Sequence, residues 1–191
     1  MTERSRALRR ARVPLGFLVG ILYFWFAPRL GGMTPVTLTI GAIIALVGVL
    51  FRAWAAGHIV KNDRLATTGP YAHTRNPLYF GSFLIGCGFA IAAHWVLVLA
   101  VMAFFYLIYK PVIASEREFI SQKYPAEYAE WARHVPAFFP RVTPWRSGDT
   151  GADGAGEPFS FPLYLRHREW QAGLVYIVVV AWLTFRLQRG F

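Results

Sequence analysis

Long apolar runs separated by short polar stretches dominate the chain, and they occupy residues 13–30, 35–54, 76–109 and 170–185. An α-helix rises about 1.5 Å per residue, so roughly 20 residues cross the ~30 Å hydrocarbon core of a bilayer. Three of the runs are close to that length. Residues 13–30, 35–54 and 170–185 are therefore each predicted to form one membrane-spanning helix.

The run at 76–109 contains no Asp, Glu, Lys or Arg, and it is too long for a single crossing. As one helix it would reach about 50 Å, which exceeds any bilayer core. We predict two helices, 78–93 and 95–114, that reverse around His94. The ring of His94 and the Trp that follows it suit a membrane interface. The sequence therefore predicts about five membrane-spanning helices.

The polar stretches carry their own pattern. Charged residues at 115–131 alternate with aromatic residues at roughly helical spacing, which predicts amphipathic helices on the membrane surface, broken at Pro125. Residues 146–160 are rich in glycine and acidic side chains and are predicted to be a flexible loop. The sequence thus predicts an all-α fold: a single integral membrane domain over 1–191, built as a polytopic helical bundle with a cytoplasmic amphipathic segment.

Composition supports a membrane protein over a soluble one, since 55% of the residues are hydrophobic and only 16% are charged. The net charge of +10 comes from basic residues beside apolar runs, which favours anionic lipid headgroups over nucleic acid as the partner. The lone Cys87 excludes a disulfide framework. The histidines lack the spacing of metal ligands, so no metal site is expected.

Basic residues also predict the orientation. Five arginines precede the first span, whereas Arg29 alone follows it, so the N-terminus is expected to be cytoplasmic. Alternation then places 55–76 and 115–168 on the cytoplasmic side as well. Arg52, near the end of the second span, is expected to reach the interface by snorkelling.

The polar turn at residues 69–81 reads Gly-Pro-Tyr-Ala-His-Thr-Arg-Asn-Pro-Leu-Tyr-Phe-Gly and lies directly against an apolar run. Pro70 and Pro77 stiffen this turn, because proline fixes one backbone angle. Arg75 at such a position has two explanations, a topology signal or a functional group. The density of polar side chains in the turn favours the functional one.

Gly69-Pro70-Tyr71, Arg75-Asn76-Pro77-Leu78-Tyr79 and then Glu116, Tyr128, Val135-Pro136 and Pro140 follow each other in an order that resembles the isoprenylcysteine carboxyl methyltransferase and phospholipid methyltransferase family. The resemblance covers about residues 69–141. It implies an integral membrane enzyme that uses S-adenosylmethionine, releases S-adenosylhomocysteine, and methylates a lipid or lipophilic acceptor. A soluble Rossmann-type methyltransferase is excluded, because the chain lacks alternating strand and helix patterns.

The resemblance also implies roles for individual residues. Arg75 would hold the cofactor carboxylate through its planar fork, and Glu116 its ammonium or ribose hydroxyls. The implied catalytic residues are Arg75, Asn76 and Glu116. The implied cofactor-binding set adds Tyr71, His73, Pro77 and Tyr79 to them, and the implied acceptor-binding residues are Tyr128, Arg133 and His134.

Three positions depart from the family pattern. Asn76 stands where the family has His, Arg117 where it usually has a second Glu, and His134 where Arg often precedes Val-Pro. Asparagine cannot titrate near neutral pH, so any proton transfer would pass to His73 or His134, unless the substrate needs no base. If the family histidine only binds the cofactor, Asn76 suffices. An alternative function follows: a non-catalytic membrane protein that keeps the scaffold and binds a lipid or partner. The acceptor stays open between a prenylcysteine carboxylate, a phospholipid amine and another lipophilic nucleophile.

Overall fold

The computed structural model describes residues 3–59, 65–146 and 158–190, and the regular structure within them is helical. The predicted loop at 146–160 falls mostly on 147–157, which lie outside the described residues. The elements in chain order are α1 Glu3–Leu30, α2 Pro35–Ala56, a 3₁₀ turn Gly69–Ala72, α3 Pro77–Ala93, α4 Val96–Phe104, a π-helical turn Phe105–Tyr109, α5 Lys110–Lys123, α6 Pro125–His134, α7 Phe161–Arg166 and α8 Trp170–Gln188.

Three stretches of helix are long and apolar enough to cross a membrane, namely Pro35–Ala56, Val96–Lys123 and Trp170–Gln188. Two shorter apolar helices, Pro14–Leu30 and Pro77–Ala93, accompany them. The all-helical membrane architecture predicted from the apolar runs is thereby confirmed. The number of five spans and the cytoplasmic side of the amphipathic segment stay predictions.

Proline and threonine mark where several helices begin. Thr34 caps α2, since its hydroxyl accepts a hydrogen bond from the Thr37 backbone N–H at 3.1 Å and the Thr37 hydroxyl reaches back to the cap. α2, α3 and α6 each start with proline, which has no N–H to leave unpaired there. The predicted break at Pro125 is confirmed, because α5 ends at Lys123 and α6 begins at Pro125.

The reversal between α3 and α4 lies where the sequence predicts it. His94 follows the end of α3, and its Nδ1 accepts a hydrogen bond from the Val96 backbone N–H at 3.2 Å, which caps the start of α4. The predicted end of the second helix near residue 114 is wrong, because one continuous helix runs to Lys123. Pro111 does not stop it, although a proline ring within a helix clashes with the carbonyl four residues before it, which here belongs to Leu107. Leu107 lies in the π-helical turn, where the bonding pattern is already shifted.

Within the described bundle, α2 and α3 form the most extensive helix pair. A Cβ atom added to Gly41 would lie 2.3 Å from the Gly88 carbonyl oxygen, and one on Gly48 would lie 2.6 Å from the Gly81 carbonyl oxygen. Small residues let helix backbones approach this closely in membranes. The polar turn leads directly into α3, so this contact fixes its position relative to α2.

Candidate active site

A cavity of about 1190 Å³ lies beside the C-terminal part of α2 and the N-terminal part of α3. Residues of α1, α5 and α8 also line it. Its volume exceeds the roughly 300–1,000 Å³ typical of a site for one small molecule. Both halves of the sequence motif contribute to its wall. The polar lining residues are Arg52, Tyr71, Arg75, Tyr79, Ser82, Tyr109, Glu116, Lys123, Tyr124 and Glu169.

Arg75 enters the cavity wall from the polar turn and is held from behind. Its backbone N–H donates to the Pro136 carbonyl at 2.9 Å, and its Nη1 donates to the Tyr128 hydroxyl at 2.8 Å. The Arg75 Nε is buried and has no hydrogen-bond partner among the described residues. Tyr128 is itself buried and does not line the cavity. The arrangement fixes the Arg75 guanidinium in the cavity wall.

Glu116 comes from α5, and Tyr79 reaches it across the cavity wall from α3. The Tyr79 hydroxyl donates to Glu116 Oε1 at 2.8 Å. The Tyr79 ring meets the edge of Tyr109 at a centroid distance of 5.4 Å, and Tyr109 stacks on Phe105 at 4.4 Å. Both Tyr109 and Phe105 belong to the π-helical turn. Such turns often occur at functional sites, and this one supports the tyrosine that orients Glu116.

Tyr71 lies in the 3₁₀ turn that begins at Gly69. Gly69 has φ +58°, and a Cβ there would lie 2.5 Å from the His58 ring, so only glycine fits. The Tyr71 carbonyl accepts a hydrogen bond from Trp131 Nε1 at 2.9 Å. Burial raises the pKa of Tyr71, and the Glu169 carboxylate raises it further, whereas Arg52 opposes the shift. The phenol therefore stays neutral on the cavity wall.

His73, Asn76 and Pro77 do not line the cavity. The His73 Nδ1 lies 2.8 Å from the Arg141 carbonyl oxygen, and the Asn76 side-chain amide donates to the Ala137 carbonyl at 2.7 Å. Pro77 is buried at the start of α3. His73 and Asn76 thus attach the polar turn to the segment at 135–141, and their contacts position Arg75 from outside the cavity.

Arg133 and His134 lie on the exposed face of α6, also outside the cavity lining. Arg133 Nη1 is 3.3 Å from Glu130 Oε2, and the His134 ring stacks on Trp145 at a centroid distance of 5.6 Å. Of the three residues expected at the acceptor, only Tyr128 is connected to the cavity, through its hydrogen bond to Arg75.

An ion pair in the cavity wall was missed from the sequence. Arg52 binds Glu169 through two hydrogen bonds, Nη2 to Oε1 at 2.6 Å and Nε to Oε2 at 2.9 Å. The Arg52 Nη1 donates to the Leu78 carbonyl at 3.2 Å and to the Ser82 hydroxyl. The snorkelling interpretation of Arg52 did not include this partner. The available signal was an arginine inside one apolar run and an acid just before another, since intramembrane charges usually pair inside the bundle.

One part of the cavity is apolar and is lined by α1 and α8. A Cβ added to Gly16 or Gly20 would meet nothing within 4 Å in the described structure. The lining residues that these two helices contribute are Gly16, Phe17, Gly20, Ile21 and Phe24 from α1 and Leu174, Val175, Val178 and Val179 from α8. One cavity thus joins a polar region beneath the motif to an apolar region between two hydrophobic helices.

The polar region fits the amino-acid end of S-adenosylmethionine. A guanidinium fixed in the cavity wall suits a carboxylate, and a carboxylate oriented by a tyrosine suits an ammonium. Arg75 and Glu116 supply these groups. The Tyr124 hydroxyl, buried without a partner in the described part of the chain, adds a further polar atom at the same wall.

A family model described as phospholipid methyltransferase matches residues 36–127. The match runs from the start of α2 into α6 and includes Arg75, Tyr79 and Glu116. Together with the relatives below, it shows that the chain belongs to the isoprenylcysteine/phospholipid methyltransferase family, as the motif order predicted. Tyr128, at the back of the site, lies one residue beyond the match.

Two named relatives are similar over most of the chain. The cobalt-zinc-cadmium resistance protein CzcN of Cupriavidus metallidurans is 34% identical over 171 residues, which cover 87% of this chain and 77% of the relative. The nickel-cobalt-cadmium resistance protein NccN of Alcaligenes xylosoxydans xylosoxydans is 35% identical over 144 residues, which cover 74% of this chain and 66% of the relative. No solved structure is matched.

Proposed function

We propose that this protein transfers a methyl group from S-adenosylmethionine to a lipid or lipophilic acceptor at the cytoplasmic face of a membrane. One observation carries the proposal. Two motif segments that are separated by a helical hairpin meet at a single cavity, where Arg75 and Glu116 both line the wall. The chain that contains this cavity belongs to a methyltransferase family.

S-adenosylmethionine, when bound, supplies a methyl group on a positively charged sulfur. The work left to the protein is to position the two reactants and exclude water. Arg75, fixed by Tyr128, holds the carboxylate end, and Glu116, fixed by Tyr79, holds the ammonium. No titrating base is required at position 76, so its asparagine is compatible with the reaction.

The apolar region between α1 and α8 supports a lipophilic acceptor. Its lining is aliphatic and aromatic, and many side chains on the same two helices are exposed, as expected for surfaces that face lipid. An acceptor that enters sideways from the bilayer keeps its tail between these helices. Its head group then reaches the polar region without crossing bulk water.

Calorimetric titration of S-adenosylmethionine into the purified protein in lipid nanodiscs tests the cofactor assignment. Arg75→Ala and Glu116→Gln each remove a charge-assisted hydrogen bond, for which about a tenfold loss of affinity or more is expected. Arg117→Ala and Glu118→Gln are matched controls on the exposed face of α5 and should bind like the parent. A parent protein that does not bind, or two cavity variants that bind normally, would overturn the proposal.

A second candidate is the non-catalytic scaffold protein, which the departure at position 76 favours. The Asn76 side chain donates to the Ala137 carbonyl, a structural contact that does not require catalysis. Asn76→His separates the two functions when methyl transfer from labelled S-adenosylmethionine to extracted membrane lipids is measured. A large gain over an inactive parent would indicate lost catalysis. An unchanged or lower rate in an active parent would indicate that the native site is complete.

The names of the two relatives suggest a setting for this reaction, because both are metal-resistance proteins. We extend the proposal to a role in which methylation at the membrane contributes to metal tolerance. Cells that lack the protein should grow less well in cadmium or cobalt, and the parent gene should restore growth. Restoration by the Arg75→Ala variant would separate tolerance from methyl transfer.

A further inference from the structure

Residues 135–145 form a strap of irregular backbone that follows α6 and runs beside the polar turn. The Arg75 backbone N–H donates to the Pro136 carbonyl at 2.9 Å. The buried Thr74 hydroxyl donates to the Phe138 carbonyl at 2.8 Å. These bonds fasten the strap along the segment that places Arg75 in the cavity wall.

The Phe138 ring places the strap beside the apolar part of two helices. It packs edge-on against Phe83 at a centroid distance of 5.7 Å and against Phe105 at 6.4 Å. Phe83 follows the first residue of α3 by six positions, which is about 9 Å along the helix axis. Phe105 belongs to the stretch Val96–Lys123, which is long and apolar enough to cross a membrane. The strap therefore lies level with apolar helix surface, not above the helix ends.

Two apolar side chains of the strap face away from the protein. Phe139 is 68% exposed and Val142 is 95% exposed. Arg141 is the only charged residue in the strap sequence, and its Nη1 donates to the His134 carbonyl at 2.9 Å. The π-helical turn that Phe138 contacts also exposes two large apolar side chains, Tyr106 and Leu107. The outer side of the strap thus offers apolar groups whose chemistry matches that of lipid.

The strap backbone is also suited to such an environment. The carbonyls of residues 136, 137 and 138 each accept a hydrogen bond from the polar turn, and the Arg141 N–H donates to the His73 carbonyl at 2.9 Å. The prolines at 136, 140 and 144 have no N–H that would need a partner. Irregular backbone is tolerated at membrane depth only where protein supplies such partners, so this pattern favours contact with lipid.

We propose that the strap is a membrane-binding surface, in which Phe139 and Val142 enter the acyl region of the leaflet beside the polar turn. The partner is the bilayer lipid itself, and the assignment does not depend on the proposed function. Insertion removes water from the two apolar side chains, which stabilises the strap in this position. Because the strap is bonded to the backbone of Arg75, lipid contact also holds Arg75 in place.

Spin labels measure the depth of the strap directly. In full-length Cys87→Ala protein, which has no other cysteine, a nitroxide is attached at Phe139→Cys or Val142→Cys and the protein is placed in phosphatidylcholine vesicles. Relaxation by oxygen, which concentrates in lipid, should exceed relaxation by a water-soluble nickel chelate at both positions. Met102→Cys, on an exposed position of α4, is the lipid control, and Glu127→Cys, on an exposed position of α6, is the water control.

The two controls make each outcome decisive. Labels at 139 and 142 that behave like the label at 102 support insertion. Labels that favour the nickel chelate, as at 127, would place the strap in water and overturn the inference. Low access to both reagents would mean that a protein surface, such as a second copy of the chain, covers the strap, which overturns the inference equally.

A variant without a label provides a second measurement, because a nitroxide is itself apolar. Val142→Asp puts a charge on the proposed lipid contact, whereas Val142→Thr keeps the shape and stays neutral. In lipid nanodiscs the melting temperature of Val142→Asp should lie about 2–4 °C below that of Val142→Thr, since a charge is costly in lipid. Equal melting temperatures would contradict insertion, because an exposed loop in water tolerates either side chain. Should Val142→Asp not fold, the labels decide alone.

Calorimetry with S-adenosylmethionine on the same variants separates this inference from the proposed function, on which the link to Arg75 rests. Val142→Asp should bind the cofactor about fivefold more weakly than Val142→Thr, the value of roughly one hydrogen bond. Equal affinities would refute the link to Arg75. Labels at lipid depth in a protein that does not bind the cofactor would refute only the proposed methyl transfer, and cofactor binding by a protein whose labels lie in water would refute only the strap assignment.

Discussion

Glycine serves opposite purposes in two regions of this protein. Between α2 and α3, a Cβ on Gly88 would lie 2.5 Å from both the Gly41 carbonyl oxygen and the Ala45 backbone nitrogen. Along α1 and α8, a Cβ on Gly16, Gly20 or Gly173 would meet nothing within 4 Å of the described structure. The first set brings two backbones together, and Gly16 and Gly20 leave room in a cavity.

The difference separates a rigid support from an adaptable wall. The α2–α3 contact holds the polar turn, and through it Arg75, against fixed backbone atoms. On the α1–α8 side the two helices meet through the rings of Tyr23 and Phe24 against Trp182, while the backbone of α1 packs mainly on α5 and that of α8 mainly on α2. Preorganised groups bind a polar cofactor well because they need not reorder, whereas a lipid tail needs only apolar space.

The largest effect is expected for Gly88→Ala. The new methyl group collides with backbone atoms of α2 that cannot move alone, so overpacking should cost roughly 1–3 kcal/mol in the free energy of unfolding. Gly173→Ala is the matched control, because it adds the same atom to an open helical position and should gain up to about 1 kcal/mol. Unfolding in mixed micelles measures both. Equal stability of the two variants would remove the distinction between the regions.

Gly20→Leu and Gly16→Leu should fill the apolar region without unfolding the protein. Stability should rise by up to about 1 kcal/mol, because leucine is a better helix former than glycine and neither site has a close neighbour. The protein should bind dodecylamine, a long-tailed probe, more tightly than the short-tailed butylamine, and this preference should fall about tenfold in the variants. A tenfold fall corresponds to the loss of roughly two buried methylene groups of the longer tail. If only the affinity for butylamine falls, or if neither affinity falls, the tail does not lie between α1 and α8.

A smaller effect is expected for Tyr128, which holds Arg75 at the proposed cofactor site. Tyr128→Phe removes the hydroxyl that accepts from Arg75 Nη1 while keeping the buried ring. Affinity for S-adenosylmethionine should fall about three- to tenfold in calorimetry, because Arg75 stays present but is less well fixed. Tyr106→Phe, on an exposed side chain of the π-helical turn, should have no effect. A loss as large as that of Arg75→Ala would give Tyr128 a direct role in binding.

The smallest effect concerns pH and Tyr71, which lies between the two regions. Its raised pKa means that the native state keeps the proton while an unfolded tyrosine loses it near pH 10. This stabilising contribution is full below about pH 10 and is lost as the pH rises toward the native pKa. Denaturant titrations at alkaline pH should show a gentler fall for Tyr71→Phe than for Tyr106→Phe. Parallel curves would contradict the shift.

Much of the helical framework was readable from local sequence. The apolar runs predicted the helices, Pro125 predicted the break between α5 and α6, and the residues around His94 predicted the reversal. These features depend on hydrophobicity and on proline chemistry, which act within a few residues. The continuation of the helix from residue 114 to Lys123 was not predicted, because the change from apolar to charged side chains there ends the apolar run but not the helix.

The candidate site was only partly readable. Motif order connected Arg75, Tyr79 and Glu116, and all three line the cavity. Arg133 and His134 follow the same motif but lie on the outside of α6, because a helix turns neighbouring positions to different faces. Membership of the motif therefore does not specify which side chains reach the cavity.

The sequence by itself determined the membrane character, the helices and the family, since each is recorded in hydrophobicity or in short motifs. Only the tertiary structure decided what Arg52 does. From the sequence, an arginine near the end of a span looks like an interfacial anchor, but its partner Glu169 lies 117 residues away. A charge inside an apolar bundle must find a partner, and which partner it finds depends on how the helices pack.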